Sequence, residues 1–490
     1  MKISLVGPKW NKMVNSYPSL GLGYLAAVAE QDGHEVRIHD MGLDPQKQIA
    51  DEVQEIVDFG PDLLAATAMT TSWYSIEQAV AAVREQIDCP VVIGGPHATT
   101  LPEITLQDEN VDFVVYGEGE ETFRELIDYL DRGDGRYEWI AGLVFQDADG
   151  RPIRNPERPL IPNLDDLPFP ARHLFDLERY PLYNPNGERM VTMLTSRGCP
   201  YICSFCFKGI VGRTYRQRSP QNIVAEVEQV LDQYGIHNLY FIDDLFTIDV
   251  RRLEAILDRF IERGLHVRWQ CLARVDRVTQ PILKKMYQAG CREIHYGIES
   301  GNEEILTATA KHIDLSQVQD AVTWTEGAGI QAKGYFILGL PGDTHETMEQ
   351  TIEFAARLGL SEAMFSIATP MPGTQLWDEL VEKYPETRYG ADFSQAYYYN
   401  SYTAEIAPFL NVSEVEGEEL SALAIRARER FLEEKRRRRY LKYFGHGFGE
   451  RFYRLSRSQT LRQLGRTVLN RGGMPGFKQL KEQGNREAWT

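Results

Sequence analysis

Three of the six cysteines lie on one short stretch, and their spacing is the strongest chemical signal in the chain. Cys199, Cys203 and Cys206 form the pattern Cys-x3-Cys-x2-Cys between a short apolar run and a helical pattern that begins at Ser219. We therefore expect them on a loop after a strand, where a scaffold holds side chains in reachable positions. The other cysteines are isolated: Cys89, Cys271 and Cys291. Thiolates select zinc, cuprous copper or iron–sulfur clusters. Structural zinc usually needs a second cysteine pair, so three ligands on one loop favour a cubane with one open iron.

The cysteine triplet, with the aromatic Phe205 before its last member, resembles the signature of the radical S-adenosylmethionine (SAM) superfamily. This resemblance implies that Cys199, Cys203 and Cys206 bind a 4Fe–4S cluster whose fourth iron is chelated by the amine and carboxylate of SAM. One-electron reduction would then cleave SAM to methionine and a 5′-deoxyadenosyl radical. Phe205 would contact the adenine through its backbone and shield the cluster. The alternative is a structural metal knuckle or three unrelated thiols.

Length and composition predict a multidomain protein of a reducing compartment. A chain of 490 residues corresponds to about three domains at ~150 residues each. The absence of a long apolar run predicts no membrane span, and the strand-like start is unlike a signal peptide. Six scattered cysteines do not form a disulfide framework. We therefore expect a cytoplasmic protein.

Charge is distributed unevenly along the chain, whose formal net charge is −18. Residues 421–490 contain 18 Lys and Arg against 6 Asp and Glu, whereas the rest contains 35 against 65. An acidic body disfavours nucleic acid as a partner. The basic end carries the run Arg436–Arg439, followed by aromatic residues interleaved with arginines. It is a solvated face, a basic amphipathic segment lying on an anionic membrane, or a surface for an anionic substrate or acidic partner.

Strand and helix patterns alternate over residues 1–135 and predict an α/β unit with a doubly wound, Rossmann-like parallel sheet. The predicted strands are Lys2–Gly7, Glu35–His39, Asp62–Ala68, Pro90–Ile93 and Val111–Val115. Ligands of such sheets bind beyond the carboxyl ends of the strands. The candidate residues at those ends are Thr70, Thr71, Ser72, Gly94, Gly95, His97, Gly117, Glu118 and Gly119. Glycine permits close backbone approach to a large ligand, and hydroxyl groups supply neutral hydrogen bonds.

The segment GLGYLAAVAEQDGHEVRIHD, together with GGPHAT and YGEGE, resembles the cobalamin-binding domain that precedes many radical SAM modules. The resemblance implies a corrin over the strand ends, facing the cluster. The Asp-x-His-x-x-Gly motif that supplies an axial histidine is absent. We therefore expect the lower face of cobalt to lie against the Thr70–Ser72 loop. His97 is either a cofactor contact or a loop histidine bonded to backbone, and the whole domain could instead be one that has lost its ligand.

The remaining chain is predicted to form a proline-rich connector over residues 136–186, a partial (β/α)6 barrel over 187–385 and a mostly helical region over 386–490. High proline density excludes long helices and most sheet from the connector. The predicted barrel strands are Met190–Leu194, Asn238–Ile242, Val267–Leu272, Glu293–Ile298, Gln331–Leu338 and Met364–Thr369. The aromatic stretch Tyr397–Tyr402 is predicted to cover the active-site opening or to fill a core.

Functional groups of such a barrel belong at the strand ends that face the cluster. The family resemblance implies contacts to SAM by Asp243 or Asp244 (amine), Arg274 (carboxylate), Glu299 (ribose), and Gly339 and Gly342 (adenine). Ser300, next to Glu299, is a further candidate cofactor contact. A guanidinium fork matches a carboxylate, which suits the role given to arginine. The structural alternatives are an exposed strand-end charge for Glu299, a helix cap or turn pair for Asp243 and Asp244, and a surface ion pair for Arg274.

These resemblances together imply a cobalamin-dependent radical SAM enzyme that methylates an unactivated carbon of a small-molecule or lipid-like substrate. The 5′-deoxyadenosyl radical would abstract a substrate hydrogen, and methylcobalamin would deliver the methyl group to the resulting carbon radical. A second SAM would then remethylate the cob(I)alamin. A flavodoxin or ferredoxin would supply electrons. The alternatives are a radical rearrangement or oxidative cyclisation, as in the anaerobic magnesium-porphyrin cyclases, or a cofactor-binding sensor without turnover.

Overall fold

The computed structural model describes residues 1–10, 15–133, 135–183, 187–387, 392–396 and 408–457. Two α/β units follow one another over these ranges, each built on its own parallel sheet. The predicted aromatic cover at Tyr397–Tyr402 lies outside the described residues.

The first sheet has seven strands in the spatial order β2-β1-β3-β4-β5-β6-β7, and its first five strands are parallel. In chain order they are β1 Lys2–Gly7, β2 Glu35–Asp40, β3 Leu63–Thr67, β4 Val91–Gly94, β5 Phe113–Val115, β6 Leu143–Gln146 and β7 Pro152–Arg154. All five predicted parallel strands are present. Short apolar runs such as ISLVG form them because both faces of the sheet are covered by helices.

In the part of the chain that the structure describes, six helices cover the first sheet. They are α1 Leu20–Gln31, α2 Ile49–Phe59, α3 Trp73–Arg84, α4 Pro96–Thr100, α5 Pro102–Thr105 and α6 Glu120–Arg132. One core joins α1 and α6 to the sheet face that carries Leu5, and a second core joins α2 and α3 to the face that carries Val6. The sheet is therefore doubly wound, as predicted.

Strands β6 and β7 differ from the expectation for the connector. They pair antiparallel with β5 and with each other, so the first sheet continues to Arg154, beyond the predicted domain end at residue 135. Prolines did not exclude this pairing because Pro152 begins the outermost strand, where a proline is tolerated. The segment from Asn155 onward is extended, with single turns at Leu164–Asp166 and Arg172–Leu174.

The second sheet has six parallel strands in the order β15-β14-β13-β12-β11-β8, and a separate β9–β10 hairpin follows β8. The strands are β8 Met190–Met193, β9 Ser196–Arg197, β10 Arg216–Gln217, β11 Asn238–Phe241, β12 Arg268–Ala273, β13 Cys291–Glu299, β14 Gln331–Leu338 and β15 Glu362–Ile367. The ends of this sheet, β8 and β15, are not paired to each other. The six strands therefore form a partial (β/α)6 barrel, as predicted.

Helices pack on the convex face of this sheet. They are α7 Pro220–Tyr234, α8 Val250–Glu262, α9 Gln280–Gln288, α10 Glu303–Ala308, α11 Leu315–Gly327 and α12 His345–Arg357. Helix α13 Gln375–Lys383 packs in a separate apolar group with Phe393, Leu410 and Val412. Alternate residues of β14 are buried toward the helices, whereas Lys333, Tyr335 and Ile337 are only partly buried. The concave face is therefore the accessible one, and the functional strand ends open onto it.

A long helix, α14 Gly417–Ser456, packs against α12 and β15 and is broken at Gly445, where φ is 71°. Its first half contributes Leu420, Leu423 and Phe431 to the barrel core. Among the described residues, no helix combines the length and the apolar character needed to cross a bilayer.

Candidate active site

The three cysteines lie on the loop between β9 and β10, beyond the carboxyl end of β8. Cys199 is buried, Cys203 is half-buried and Cys206 is exposed. The loop is held from both sides, because Ser204 donates its N–H to the carbonyl of Thr309 (3.1 Å) and accepts from the N–H of Leu376 (3.0 Å). The scaffold thus fixes the loop while leaving its last thiol open.

The thiols, one lysine and one aspartate share an electrostatic environment. Cys206 is exposed as a residue, but the surrounding atoms desolvate its thiol and raise the pKa of that thiol; Lys208 opposes this rise, and Asp244 and the other two cysteines add to it. The Lys208 Nζ lies 3.6 Å from the Cys206 Sγ. Burial also raises the pKa of Asp244, whose exposed side chain lies in a recess beside this loop, and Lys208 lowers it. Lys208 was missed by the sequence analysis, although its position two residues after Cys206 was a usable signal.

The three cysteine thiols, with the ammonium group of Lys208 beside them, suit an iron–sulfur cubane. Among the described residues, no three His, Cys, Asp or Glu side chains converge as ligands of a single metal ion. A cubane does not require such convergence, because each cysteine binds a different iron atom. A nearby ammonium group favours the thiolate form that the irons need.

Asp243 and Asp244 lie at the end of β11 but in different settings. Asp243 is fully buried, and its Oδ1 accepts hydrogen bonds from the N–H and hydroxyl of Thr195 (3.0 and 2.7 Å) and from the Ser196 hydroxyl (2.5 Å). It therefore fixes the backbone that leads into the cysteine loop. Asp244 is the one that reaches the recess, so it is the better candidate for the amine of SAM.

Arg274 has a different set of partners from the one expected. It is buried, donates to Asp276 (2.9 Å) and to the carbonyls of Lys311 (3.0 Å) and His312 (3.2 Å). Its guanidinium lies 3.8 Å from the ring centroid of Tyr201, between Cys199 and Cys203. These contacts hold Arg274 beneath the cysteine loop, while its Nη1 has no hydrogen-bond partner among the described residues. The contact to the methionine carboxylate stays a prediction.

Replacing Arg274 by lysine should loosen the iron–sulfur cluster more than it weakens SAM binding. Lysine keeps the charge but loses the fork that holds two carbonyls and stacks on Tyr201. Losing a charged hydrogen bond costs about 1.5–3 kcal/mol, so we expect less iron retained after anaerobic gel filtration. Arg277→Lys is the matched control, because Arg277 is more exposed and donates to the Tyr201 hydroxyl (2.8 Å) rather than to the loop carbonyls that Arg274 holds. Full iron retention with weakened SAM binding would contradict this account.

Glu299 ends β13 in a strained backbone conformation. Its φ is 70°, in the left-handed region that residues other than glycine seldom adopt, and the pairing of β13 with β14 shifts at this point. The buried carboxylate accepts from Lys311 Nζ (2.8 Å). Strain of this kind often accompanies a functional site. Ser300 instead turns toward α12, where its hydroxyl meets that of Thr351 (3.1 Å).

The loop that supplies Lys311 also supports the cysteine loop. It provides the Thr309 carbonyl to Ser204 and the Lys311 and His312 carbonyls to Arg274. Ala310 and His312 adopt positive φ angles of 52° and 48°. No motif marks this loop in the sequence, which is why it was missed.

The glycine turn after β14 lies next to Phe205. Gly339 and Gly342 have φ angles of 80° and 81°, and the Asp343 carboxylate accepts from the N–H groups of Gly339 and Leu340 (both 3.0 Å). Phe205 packs against a small apolar group that includes Leu340. The structure therefore brings two of the predicted adenine-contacting elements together.

A cavity of about 420 Å³ lies between the first sheet and the barrel. Its first-domain wall is formed by α1, α6 and the ends of β1, β3, β4 and β5, and its barrel wall includes Leu194, Arg197 and Ile242. Side chains such as Leu22, Leu25 and Phe123 make it largely apolar. Leu194 and Ile242 follow the same strands that carry the cysteine loop and Asp244.

The predicted cofactor-contacting residues of the first domain divide into two groups around this cavity. Those that line it are Gly94, Gly95, Gly117, Glu118 and Gly119. A Cβ at Gly117, where φ is 79°, would meet no protein atom within 4 Å, whereas one at Gly95 would lie 2.3 Å from the Thr67 hydroxyl. The bare strand ends therefore leave room for a large ligand, and this supports the fit of a corrin. The residues that do not line it are Thr70, Thr71, Ser72 and His97.

His97 is a buried neighbour of Trp73 rather than a cavity residue. The two rings are stacked with centroids 4.8 Å apart, and neither His97 nitrogen has a hydrogen-bond partner among the described residues. Burial lowers the pKa of His97 to about 4. The Thr70–Ser72 turn is likewise packed, against the turn at Phe393–Gln395.

Replacing His97 by phenylalanine should make the first domain less sensitive to acid. An unfolded histidine gains a proton near its ordinary pKa of about 6.5, whereas folded His97 stays neutral to about 4, so stability is lost as pH falls between these values. The difference in unfolding free energy between pH 7.5 and 4.5 should shrink by about 2–3 kcal/mol in H97F, measured by urea titration. H446F, at an exposed histidine, is the control. Equal acid sensitivity in both variants would contradict the burial argument.

Two family profiles match this chain: the B12 binding domain over residues 11–127 and the radical SAM superfamily over residues 193–355. The fold and the site thus define a radical SAM enzyme with a cobalamin-binding domain.

Similar proteins agree with this class. The chain is 37% identical over 387 residues to the uncharacterised methyltransferase PH0819 of Pyrococcus horikoshii, covering 77% of this chain and 83% of the relative. It is 29% identical to a cytidylyl-2-hydroxyethylphosphonate methyltransferase of Streptomyces wedmorensis, covering 75% and 78%. It is 27% identical to the anaerobic magnesium-protoporphyrin IX monomethyl ester cyclase of Rubrivivax gelatinosus, covering 78% and 70%.

The fold is shared with the methyltransferase TsrM of Kitasatospora setae, solved with cobalamin and a 4Fe–4S cluster bound. The TM-score is 0.65 at 20% identity, covering 78% of this chain and 75% of TsrM. This chain belongs to the family of cobalamin-dependent radical SAM enzymes, and its cofactors are a 4Fe–4S cluster, SAM and cobalamin. The predicted family, fold class, enzyme class and cofactors are confirmed.

Proposed function

We propose that this enzyme transfers a methyl group to an unactivated carbon of a small-molecule substrate. The observation that carries the proposal is the shared cavity: strand ends of the cobalamin-binding domain face Leu194, Arg197 and Ile242 of the barrel. A substrate carbon held at the barrel side of this cavity, between the corrin site and the cysteine loop, would be open to both cofactor sites. Similarity to several methyltransferases supports the same reaction class.

The cofactors supply the chemistry: SAM at the reduced cluster is a source of a carbon radical, and cobalamin is the methyl carrier. The chain supplies their positions. Cys199, Cys203 and Cys206 hold the cluster, and Asp244 in the neighbouring recess would accept a hydrogen bond from the amine of SAM. Glu299, paired with Lys311, would accept from the ribose hydroxyl groups. The apolar cavity wall would exclude water from the reacting carbon.

Isotope labelling tests the proposal even though the substrate is unidentified. Reduced, reconstituted enzyme is incubated anaerobically with deuterated-methyl SAM and a small-molecule extract of its host cells, with C203A as the matched control. A metabolite that gains the labelled methyl group only with the unmodified enzyme is the expected result. Formation of 5′-deoxyadenosine with unlabelled, dehydrogenated products would instead favour the cyclase reaction, for which the 27% identical Rubrivivax gelatinosus relative is the supporting observation.

We also propose, for the finer identity of its partners, a flavodoxin- or ferredoxin-type reductant and a lipid-like substrate taken from an anionic membrane surface. The support for membrane contact is the end of α14, where Phe448, Phe452 and Leu455 are exposed beside Arg451 and Arg454. Basic and apolar side chains together favour such surfaces.

The preceding arginine run contributes less to such a surface than its sequence suggested. Arg437 pairs with Glu434 and Glu450, and Arg438 donates to the Leu360 carbonyl. Co-sedimentation with vesicles of phosphatidylglycerol and phosphatidylcholine should exceed that with phosphatidylcholine alone, and should fall in F448S/F452S. No sedimentation with either vesicle would reject the membrane contact.

A further inference from the structure

Four buried charged residues lie between the cofactor cavity and the cysteine loop. We call them the interdomain ion cluster: Glu118, Glu120, Arg197 and Arg216. Their side chains are 3%, 8%, 6% and 7% exposed. Three of the four, Glu118, Glu120 and Arg197, also line the cavity. The predicted cofactor-contacting Glu118 is thus committed to arginine partners.

Glu118 is the hub of this cluster. Its Oε1 accepts from Arg197 (2.9 Å) and its two oxygens accept from the Arg216 fork (2.7 and 2.9 Å). It also accepts from the Ile161 N–H (2.8 Å). Arg216 and Arg197 keep the pKa of Glu118 below its ordinary value despite its burial. Arg197 reaches on to Glu120 at the start of α6.

The cluster joins three parts of the chain that are distant in sequence. Glu118 follows β5 of the first domain, Ile161 belongs to the connector, and Arg197 and Arg216 lie on the β9–β10 hairpin. Arg197 stands two positions before Cys199. The loop after the cysteines also approaches the first domain, because a methyl group on Gly209 would lie 3.4 Å from the Thr99 side chain.

Stability alone does not account for such an arrangement. Buried ion pairs are often replaceable by apolar side chains without loss of stability, whereas removing one member leaves an uncompensated charge. A bidentate arginine–carboxylate pair also fixes the relative orientation of its two residues, because the planar guanidinium makes two parallel hydrogen bonds. A fixed orientation of neighbouring segments matters where those segments must hold two cofactors at a set separation.

We propose that the interdomain ion cluster sets the separation and orientation of cobalamin relative to the iron–sulfur cluster, with Glu118 as the positioning residue. This inference rests on the proposed function, which gives the reason why the separation of the two cofactors matters. Its test, however, needs only that both cofactors are bound. The distance-dependent readout is electron paramagnetic resonance: a reduced 4Fe–4S cluster speeds the spin relaxation of nearby cob(II)alamin, and this enhancement falls steeply with separation.

The test compares E118Q with E226Q. Glu226 is a matched control, because it is fully buried between Arg172 and Arg218, and none of these three residues lines the cavity. Both variants remove one buried carboxylate charge between two arginines. A misplacement of about 1 Å is already the scale at which reactions slow by about 10²-fold. Because the relaxation enhancement falls steeply with separation, a shift of this size should change it clearly. We expect this change in E118Q and the unmodified value in E226Q.

A gentler variant keeps the proposal testable if E118Q does not retain cobalamin. Arg216→Lys preserves the charge and loses the fork, so it should change the enhancement in the same direction. Unmodified relaxation in R216K, with both cofactors bound, would overturn the proposal, and so would an equal change in E226Q. Because no turnover is measured, a negative labelling experiment would reject the methyl transfer and leave this inference standing.

Discussion

C203A should bind little iron and should lose SAM cleavage almost completely. Cys203 lies between the buried Cys199 and the exposed Cys206 on a loop anchored by Ser204 and its partners. With one thiolate gone, two ligands remain for a cluster that needs three. Changes to groups that only orient a metal ligand already cost 10–100-fold in affinity or activity, so loss of a ligand should cost more than about 100-fold.

The measurements are iron and sulfide content, the iron–sulfur absorption shoulder and 5′-deoxyadenosine formed under reduction. C89A is the control, because Cys89 is a buried thiol of the first domain, outside the loop. It should keep its cluster and its SAM cleavage. Full iron and sulfide in C203A would show that the cluster is held elsewhere, and the proposed site would have to be abandoned.

E299G and E299Q should both weaken SAM binding by about 10–100-fold, the equivalent of a charged hydrogen bond worth about 1.5–3 kcal/mol. The two variants differ in what they do to the backbone. Glycine relieves the positive φ of 70°, a conformation that costs other residues about 1–2 kcal/mol, whereas glutamine keeps it. Both remove the carboxylate that pairs with Lys311.

The comparison separates function from folding. If the carboxylate binds the ribose, SAM affinity falls in E299G even where the thermal midpoint does not. Affinity is measured by equilibrium dialysis of the reconstituted protein with SAM, and E362Q serves as control on β15 of the same sheet, where Glu362 pairs with Lys333. Unchanged affinity in both Glu299 variants would confine Glu299 to a structural role beside Lys311.

Local sequence was sufficient for every feature set by near neighbours in the chain. Strand runs such as Lys2–Gly7 and Gln331–Leu338 were predicted with the bounds observed, because period and burial are local properties of a segment. The position of the cysteine loop could also be predicted, since its three cysteines, the predicted cluster ligands, lie within one short stretch of sequence. The strand-end glycines Gly95 and Gly117 were predicted as cofactor contacts for the same reason, and they line the cavity.

The hydrogen-bond, ion-pair and strand-pairing partners could not be predicted from the sequence, because they depend on which distant segments the fold brings together. Glu118 and Arg274 are each held by charged or carbonyl groups far away in sequence, and no local motif indicated these partners. Their cofactor contacts stay predictions. Strands β6 and β7 were missed for a similar reason: their pairing depends on the free edge of β5 more than on their own composition.

The chain order of residue types alone therefore predicted the family, the cofactors, the two sheets and the cysteine loop, since each depends on a contiguous stretch of sequence. The three cysteines remain the predicted cluster ligands. Folding decided that Asp244 and not Asp243 opens to the recess, that Lys311 meets Glu299, and that Glu118 joins two domains. The physical reason is that a buried charge must find its counter-charge in three dimensions. Nothing in the residues adjacent to it along the chain specifies where that partner lies.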